Sequence, residues 1–122
     1  MHIFLIGLNK DFARSVARYV GTDERVVLCG VAPELAIAAI MLPATKAALV
    51  IVDWSVLGVA PDAGMQLLRA SCKGVRIVCV MDHAKPYRDQ ALAAGADAVI
   101  SQERFAAEFE QMLTQLDGSK YV

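Results

Sequence analysis

Five short apolar segments recur along the chain, and amphipathic stretches separate them. The segments begin near five positions: Ile3, Arg25, Ala47, Val75 and Asp97. Successive starts are 22, 22, 28 and 22 residues apart, which is the rhythm of a strand, a loop, a helix and a second loop. The segment over residues 47–52 is wholly apolar, as is typical of a strand buried on both faces of a parallel sheet. The pattern therefore predicts alternating strands and helices.

Helix start and stop signals lie between these segments. Asn9 and Ser101 are predicted N-caps, because their side chains can accept hydrogen bonds from the free N–H groups of a first turn. Pro33 and Pro86 suit first helical turns, where a missing N–H costs little. Gly95 suits the left-handed residue that ends a helix. These signals mark the first, second, fourth and fifth predicted helices.

Apolar residues at helical spacing predict the buried faces of three helices. They are Phe12, Val16 and Tyr19 in the first helix, Met65, Leu67 and Leu68 in the third, and Phe105, Phe109, Met112 and Leu116 in the fifth. Because strands alternate with helices, we expect right-handed crossovers and helices on both faces of a parallel sheet. The predicted fold class is therefore α/β and flavodoxin-like, with three layers (α/β/α), five helices and a five-stranded parallel sheet in the order 2-1-3-4-5.

The composition indicates the number of domains, the cellular compartment and the classes of partner to expect. We expect one domain over residues 1–117 and a flexible tail over residues 118–122. Apolar residues make up 57% of the chain, yet no run approaches the roughly 18 residues of a membrane span, and the start lacks the basic residues of a signal peptide. Cys29, Cys72 and Cys79 are read as small apolar residues of a reducing compartment. With a net charge of -1, a cytoplasmic domain that binds neither nucleic acid nor membrane is expected.

Three short motifs carry a resemblance to a known family. Residues 49–53 place Asp53 at the end of a buried strand, where ligands collect in parallel sheets. Residues 64–69 read Gly-Met-Gln-Leu-Leu-Arg, and residues 91–97 read Ala-Leu-Ala-Ala-Gly-Ala-Asp. Over about residues 2–116, the chain resembles the CheY-like receiver domain of two-component response regulators.

The resemblance implies a known chemistry, from which this chain departs. In the family an aspartate accepts a phosphoryl group from a histidine kinase, and an acidic pair after the first strand helps it to hold Mg²⁺. A hydroxyl and a lysine contact the phosphoryl oxygens, and an aromatic residue of the fifth strand takes part in the switch. Asp53 matches the phosphoacceptor. The acidic pair corresponds to Gly7 and Leu8, the hydroxyl to Met81, the lysine to Gln102 and the aromatic to Val99.

These departures predict a pseudo-receiver. Mg²⁺ usually needs one or two carboxylates among its ligands, and phosphoryl transfer needs fixed positive charge. We therefore expect no enzyme activity and no cofactor, and a signal-transduction module that binds protein without phosphorylation. Asp53 would then cap the region of the third helix or bind a backbone amide in its own loop.

The resemblance also implies a partner surface. In the family, the face formed by the fourth helix, the fifth strand and the fifth helix meets an output domain or a second copy. The corresponding residues here are Tyr87, Arg88, Gln90, Ala91, Val99, Arg104 and Glu108. We expect a protein partner, an output domain or a homodimer contact on this face.

Two alternatives remain open. A working phosphoreceiver would accept phosphate on Asp53 from a histidine kinase, and Asp11 or Asp82 would supply the carboxylates for Mg²⁺. A small-ligand-binding flavodoxin-like domain would use the same rim of the sheet, although no glycine-rich phosphate loop follows the first strand. At that rim Asp82 and His83 could partner Asp53, and Trp54 could contact a ligand.

Overall fold

One parallel sheet forms the centre of the protein. The computed structural model describes residues 1–82 and 84–118, the backbone alone at residues 84, 85 and 116–118. Its strands are β1 (His2–Ile6), β2 (Val27–Ala32), β3 (Leu49–Asp53), β4 (Arg76–Met81) and β5 (Ala98–Ser101). All neighbouring pairs are parallel, and the order is β2-β1-β3-β4-β5. The predicted sheet is confirmed.

Five helices cover the two faces of this sheet. They are α1 (Lys10–Gly21), α2 (Leu35–Met41), α3 (Pro61–Ser71), α4 (Ala84–Ala94) and α5 (Phe105–Gly118). Buried side chains of α1 and α5 pack on one face, and those of α2, α3 and α4 pack on the other, so the three-layer prediction is also confirmed. Since α5 extends through Gly118, it passes the predicted domain end by one residue, and residues 119–122 of the predicted tail lie outside the described residues.

The central strands supply the middle of the core. Residues 3–6 of β1 and 49–52 of β3 are fully buried, as expected for strands covered on both faces. On the face of α1 and α5, Phe105 stacks on Phe109 with ring centroids 5.0 Å apart, and Phe12 meets Phe105 edge to face at 5.4 Å. The aromatic spacing read from the sequence thus marks a real helix–helix contact.

Two of the predicted helix boundaries are confirmed by their hydrogen bonds. The Asn9 side chain accepts from the backbone N–H of Asp11 at 2.9 Å, so it caps α1. Gly95 has a φ of 118° and donates to the Leu92 carbonyl at 3.1 Å, which ends α4. Pro86 lies in the first turn of α4, where it was expected.

Three local predictions are wrong. Pro33 lies two residues before α2, and Glu34 occupies the N-cap position. Leu67 is 41% exposed, because it lies about 100° around the helix from the buried Leu68. Ser101 ends β5 and does not cap α5, since a 3-10 turn over Gln102–Arg104 separates them; its hydroxyl is buried without a hydrogen-bond partner among the described residues.

Asp97 stabilises the end of the sheet where the strands begin, which is called the base here. Its Oδ2 accepts a hydrogen bond from the backbone N–H of Ile77 at 2.8 Å and lies 3.3 Å from Nη2 of Arg69. Arg69 also donates to the carbonyls of Val75, at 3.1 Å, and Gly95. Asp97 therefore ties α3, β4 and the turn after α4 together.

A second polar cluster at the base joins β2 to the helices beside it. Arg25, just before β2, contacts Asp23 at 2.6 Å and Glu110 of α5 at 2.8 Å, and the Tyr19 hydroxyl donates to Glu110 at 2.9 Å. The hydrogen bonds from Arg25 lower the pKa of Asp23 to about 2, and they lower the pKa of Glu110 as well.

Candidate functional site

A cleft of about 440 Å³, called the rim cleft here, opens at the end of the sheet where β3, β4 and β5 finish. This is the end at which open parallel sheets bind ligands. The residues that line it are Asn9, Asp53, Trp54, Ser55, Met81, Asp82, Tyr87 and Gln102. The structure thus brings the predicted phosphoacceptor together with the hydroxyl and lysine positions of the resemblance.

Asp53 is the last residue of β3 and is half-buried. Its Oδ1 accepts hydrogen bonds from the Ser55 backbone N–H at 2.9 Å and from the Ser55 hydroxyl at 2.6 Å. These bonds start a 3-10 turn over Trp54–Leu57. The prediction that Asp53 binds a backbone amide in its own loop is therefore confirmed.

Gly7 and Leu8, at the positions of the acidic pair, lie outside the lining of the rim cleft. Gly7 has a φ of 67°, and a Cβ atom placed on it would lie 2.0 Å from Cγ2 of Val56. Leu8 is half-buried and packs with the core on the face of α1 and α5. The turn after Asp53 therefore places a valine where a carboxylate at position 7 would have to stand.

The remaining pocket positions are apolar or uncharged. Met81 is 6% exposed, and with Gln102 it lines the rim cleft. Val99, at the switch position, is buried in the core on the face of α2, α3 and α4. Nearby, burial and then the charge of Asp53 raise the pKa of the Cys79 thiol to about 12. That thiol is consequently neutral and unsuited to nucleophilic chemistry.

The candidate metal ligands are only partly brought together. Asp53 and Asp82 share the rim cleft, whereas Asp11 lies in the first turn of α1 and is not part of the lining. Within residues 1–82 and 84–118, no three Asp, Glu, His or Cys side chains form a group that could hold a metal ion. His83 lies outside the described residues.

The predicted partner face is exposed only in part. Tyr87, Arg88, Gln90 and Arg104 are exposed. The prediction is wrong for Ala91 of α4 and Val99 of β5, because both side chains are buried in the core on the face of α2, α3 and α4. Glu108 is half-buried, and its Oε2 accepts a hydrogen bond from the backbone N–H of Ser101 at 2.8 Å.

Sequence reasoning missed Val56, which shapes the site more than any other residue of the loop. Val56 is half-buried and packs against the core on the face of α2, α3 and α4. The signal in the sequence is that Gly64 follows Asp53 by eleven residues, where the resembled family usually has eight. That spacing shows an enlarged loop but does not show that the loop folds over Gly7.

The fold agrees with known structures, although the sequence matches no protein-family model and no curated protein. RcsB, a response regulator of Salmonella typhimurium, is similar with a TM-score of 0.83 and 12% identity, over 98% of this chain and 60% of that one. The signal receiver domain of the putative response regulator NarL from Mycobacterium tuberculosis is similar at 0.78 and 20%, over 98% and 95% of the chains. A chain from the complex of the P1 domain of CheA3 with CheY6 from R. sphaeroides is similar at 0.78 and 17%, over 95% and 96%.

These similarities define the class of fold. The protein has the CheY-like receiver fold, as the three motifs predicted. The chain spans 60% of the length of the RcsB chain that it matches. Among the described residues no helix is both long and apolar enough to pass through a membrane.

Proposed function

We propose that this protein is a receiver-fold module of signal transduction that binds a protein partner without phosphorylation of Asp53. The observation that carries the proposal is the contact of Val56 with Gly7. Because a Cβ at position 7 would lie 2.0 Å from Cγ2 of Val56, this position cannot hold an acidic side chain unless the loop moves. Asp53 therefore lacks the acidic pair after the first strand with which the resembled family holds Mg²⁺, and Asp82 is the one other carboxylate in the described lining of the rim cleft.

The charges of the rim cleft support the same conclusion. Its lining includes two carboxylates, Asp53 and Asp82, and no lysine or arginine among the side chains that the structure describes, which leave out that of Lys85. A phosphoryl group on Asp53 would add negative charge beside Asp82, and Gln102 would offer hydrogen bonds without a compensating positive charge. Phosphoryl transfer depends on such compensation.

A partner is expected on the exposed part of the face formed by α4, β5 and α5. Tyr87, Arg88, Gln90 and Arg104 are available there, and aromatic and arginine side chains are enriched at protein interfaces. The similar fold of a chain from the complex between CheY6 and the P1 domain of CheA3 supports a protein as the partner. An output domain or a second copy of the chain would fit the same face.

The test uses the only tryptophan of the chain, Trp54, which lines the rim cleft. Mg²⁺ and then beryllofluoride, a mimic of the aspartyl phosphate, are titrated while Trp54 emission and backbone amide NMR signals are recorded. We expect both ligands to leave the signals of Asp53, Met81 and Val99 unchanged, in the wild type and in the matched Asp53→Asn variant alike. A saturable response that Asp53→Asn abolishes would establish a working phosphoreceiver instead.

A further inference from the structure

The rim cleft combines carboxylates with aromatic rings, and the function proposed above assigns it no ligand. We propose that this cleft binds the guanidinium or ammonium group of a basic side chain on the protein partner. This inference rests on the proposed function, because a phosphoryl group on Asp53 and a bound Mg²⁺ would occupy the carboxylates that the basic group would contact. The occupant is a segment of the partner that carries an arginine or a lysine.

The carboxylates of the rim cleft supply negative charge that is only partly used. Oδ1 of Asp53 accepts two hydrogen bonds from Ser55, but Oδ2 accepts none from any group in the described part of the chain. Asp82 is exposed beside it, since β3 and β4 are neighbouring strands in parallel register. The described side chains of the lining include no arginine or lysine, and a cation from a partner would complement this charge.

Two aromatic side chains stand at the same opening. Trp54 is partly exposed, and Tyr87 is 45% exposed. A cation is attracted to the face of an aromatic ring, and to tryptophan most strongly. The long stem of an arginine or lysine can also pack on such rings and on Met81 while its charged end reaches the carboxylates. The aromatic rings and the carboxylates of the rim cleft therefore both favour a cationic ligand.

The size and position of the cleft favour a side chain presented by a protein. Its volume of about 440 Å³ lies within the range of ligand sites, and it is open to solvent. A single exposed ion pair contributes little affinity by itself, so the contact is useful as one part of a larger interface. Tyr87 provides that continuity, because it both lines the cleft and belongs to the exposed part of the proposed partner face.

The experiment compares two blocked tripeptides that differ only in charge, one with a central arginine and one with a central citrulline. Each is titrated into the full chain at constant ionic strength, and Trp54 emission and amide NMR signals are recorded. We expect saturable binding of the arginine peptide in about the millimolar range, and binding of the citrulline peptide at least about fivefold weaker. Added salt should weaken the arginine peptide further.

Variants locate the binding. Asp53→Asn and Asp82→Asn should each weaken the arginine peptide by about three- to tenfold, and Tyr87→Ala by about two- to fivefold. Asp62→Asn, which removes an exposed carboxylate of α3 outside the lining, should change nothing. The inference is overturned if the two peptides bind alike, if neither binds, or if Asp53→Asn and Asp82→Asn both leave binding unchanged.

The two proposals fail separately. A saturable response to Mg²⁺ and beryllofluoride that Asp53→Asn abolishes refutes the proposed function, and this inference with it. A silent response to both the phosphoryl mimic and the arginine peptide refutes only this inference, because the remaining partner face does not depend on the rim cleft.

Discussion

Asp97 at the base of the sheet and Asp53 at its rim differ in their hydrogen-bond partners. At the base, Asp97 binds a backbone N–H of β4 and an arginine of α3, and it thereby joins segments that are far apart in sequence. At the rim, the hydrogen bonds of Asp53 within the described part of the chain come from Ser55, two residues away, and Asp53 lines an open cleft. Asp97 therefore makes contacts that build the fold, whereas the described contacts of Asp53 stay within its own loop.

This difference shows why a resemblance can be strong in fold and weak in chemistry. The Ala-Gly-Ala-Asp turn needs a residue with positive φ and a carboxylate that reaches β4, and Gly95 and Asp97 supply both. The rim needs carboxylates, a hydroxyl and a lysine held at one point, and Gly7, Met81 and Gln102 supply none of these. Fold and chemistry therefore rest on separate groups of residues at opposite ends of one sheet.

The largest expected effect comes from forcing a carboxylate back into the rim. Gly7→Asp should lower the free energy of unfolding by about 2–3 kcal/mol, because the new side chain overlaps Val56. Urea denaturation followed by circular dichroism measures the loss. Gly58→Asp is the matched control, since Gly58 has nearly the same φ of 66° but no atoms within 4 Å of an added Cβ. Equal losses in the two variants would mean that backbone strain, rather than Val56, excludes the acid.

At the base, Asp97→Ala should lower the free energy of unfolding by about 2 kcal/mol. The buried N–H of Ile77 loses its acceptor, and Arg69 loses its ion pair. Asp97→Asn keeps an acceptor oxygen and should cost about half as much. The same urea titration measures both. A loss under about 0.5 kcal/mol for Asp97→Ala would show that this carboxylate does not hold the base together.

At the rim, Asp53→Ala should cost about 1 kcal/mol, the usual contribution of a capping side chain. Asp53→Asn retains an acceptor for the Ser55 N–H and should remain close to the wild type. Chemical denaturation again provides the measurement. If Asp53→Ala proved as costly as Asp97→Ala, the contrast between the two ends of the sheet would be wrong.

Acid should weaken the polar cluster at the base. The pKa of Asp23 is lowered to about 2 and that of Glu110 is also lowered in the folded state, so both carboxylates stabilise the fold above their ordinary pKa values. This contribution falls as the pH drops from about 4.5 toward about 2. Urea denaturation at a series of pH values measures this loss of stability. Arg25→Gln should flatten the pH dependence, and an unchanged profile in that variant would contradict the assignment.

Much of the fold could be predicted from local patterns in the sequence. The strand order follows from the alternation of buried strands and helices, and Asn9 and Gly95 act through their own backbone geometry. Predictions from the local sequence failed where packing, or an additional turn, determined the position of a residue. Leu67 lies on the wrong side of α3, and Ser101 precedes an extra turn and donates its backbone N–H to Glu108.

The sequence predicted where the candidate site lies, but not how the loop after Asp53 packs beside it. Asp53, Met81 and Gln102 meet at the rim because the ends of parallel strands share one edge, which the sequence indicates. The position of Val56 depends on how a loop of several residues packs, and no periodic pattern records that. Val99 was placed on the surface by the resemblance, although an aliphatic side chain there packs fully into the core under α4.

The contact between Val56 and Gly7 has a consequence for how information passes through the protein. A ligand shifts a conformational equilibrium only by its difference in affinity for the two states. Under the proposed function, phosphate has no such difference to offer, so the ratio of conformers is fixed by the sequence alone. A signal would then depend on the concentration of the domain and on which partner is present. The domain would act as a scaffold whose conformation is not switched by phosphate.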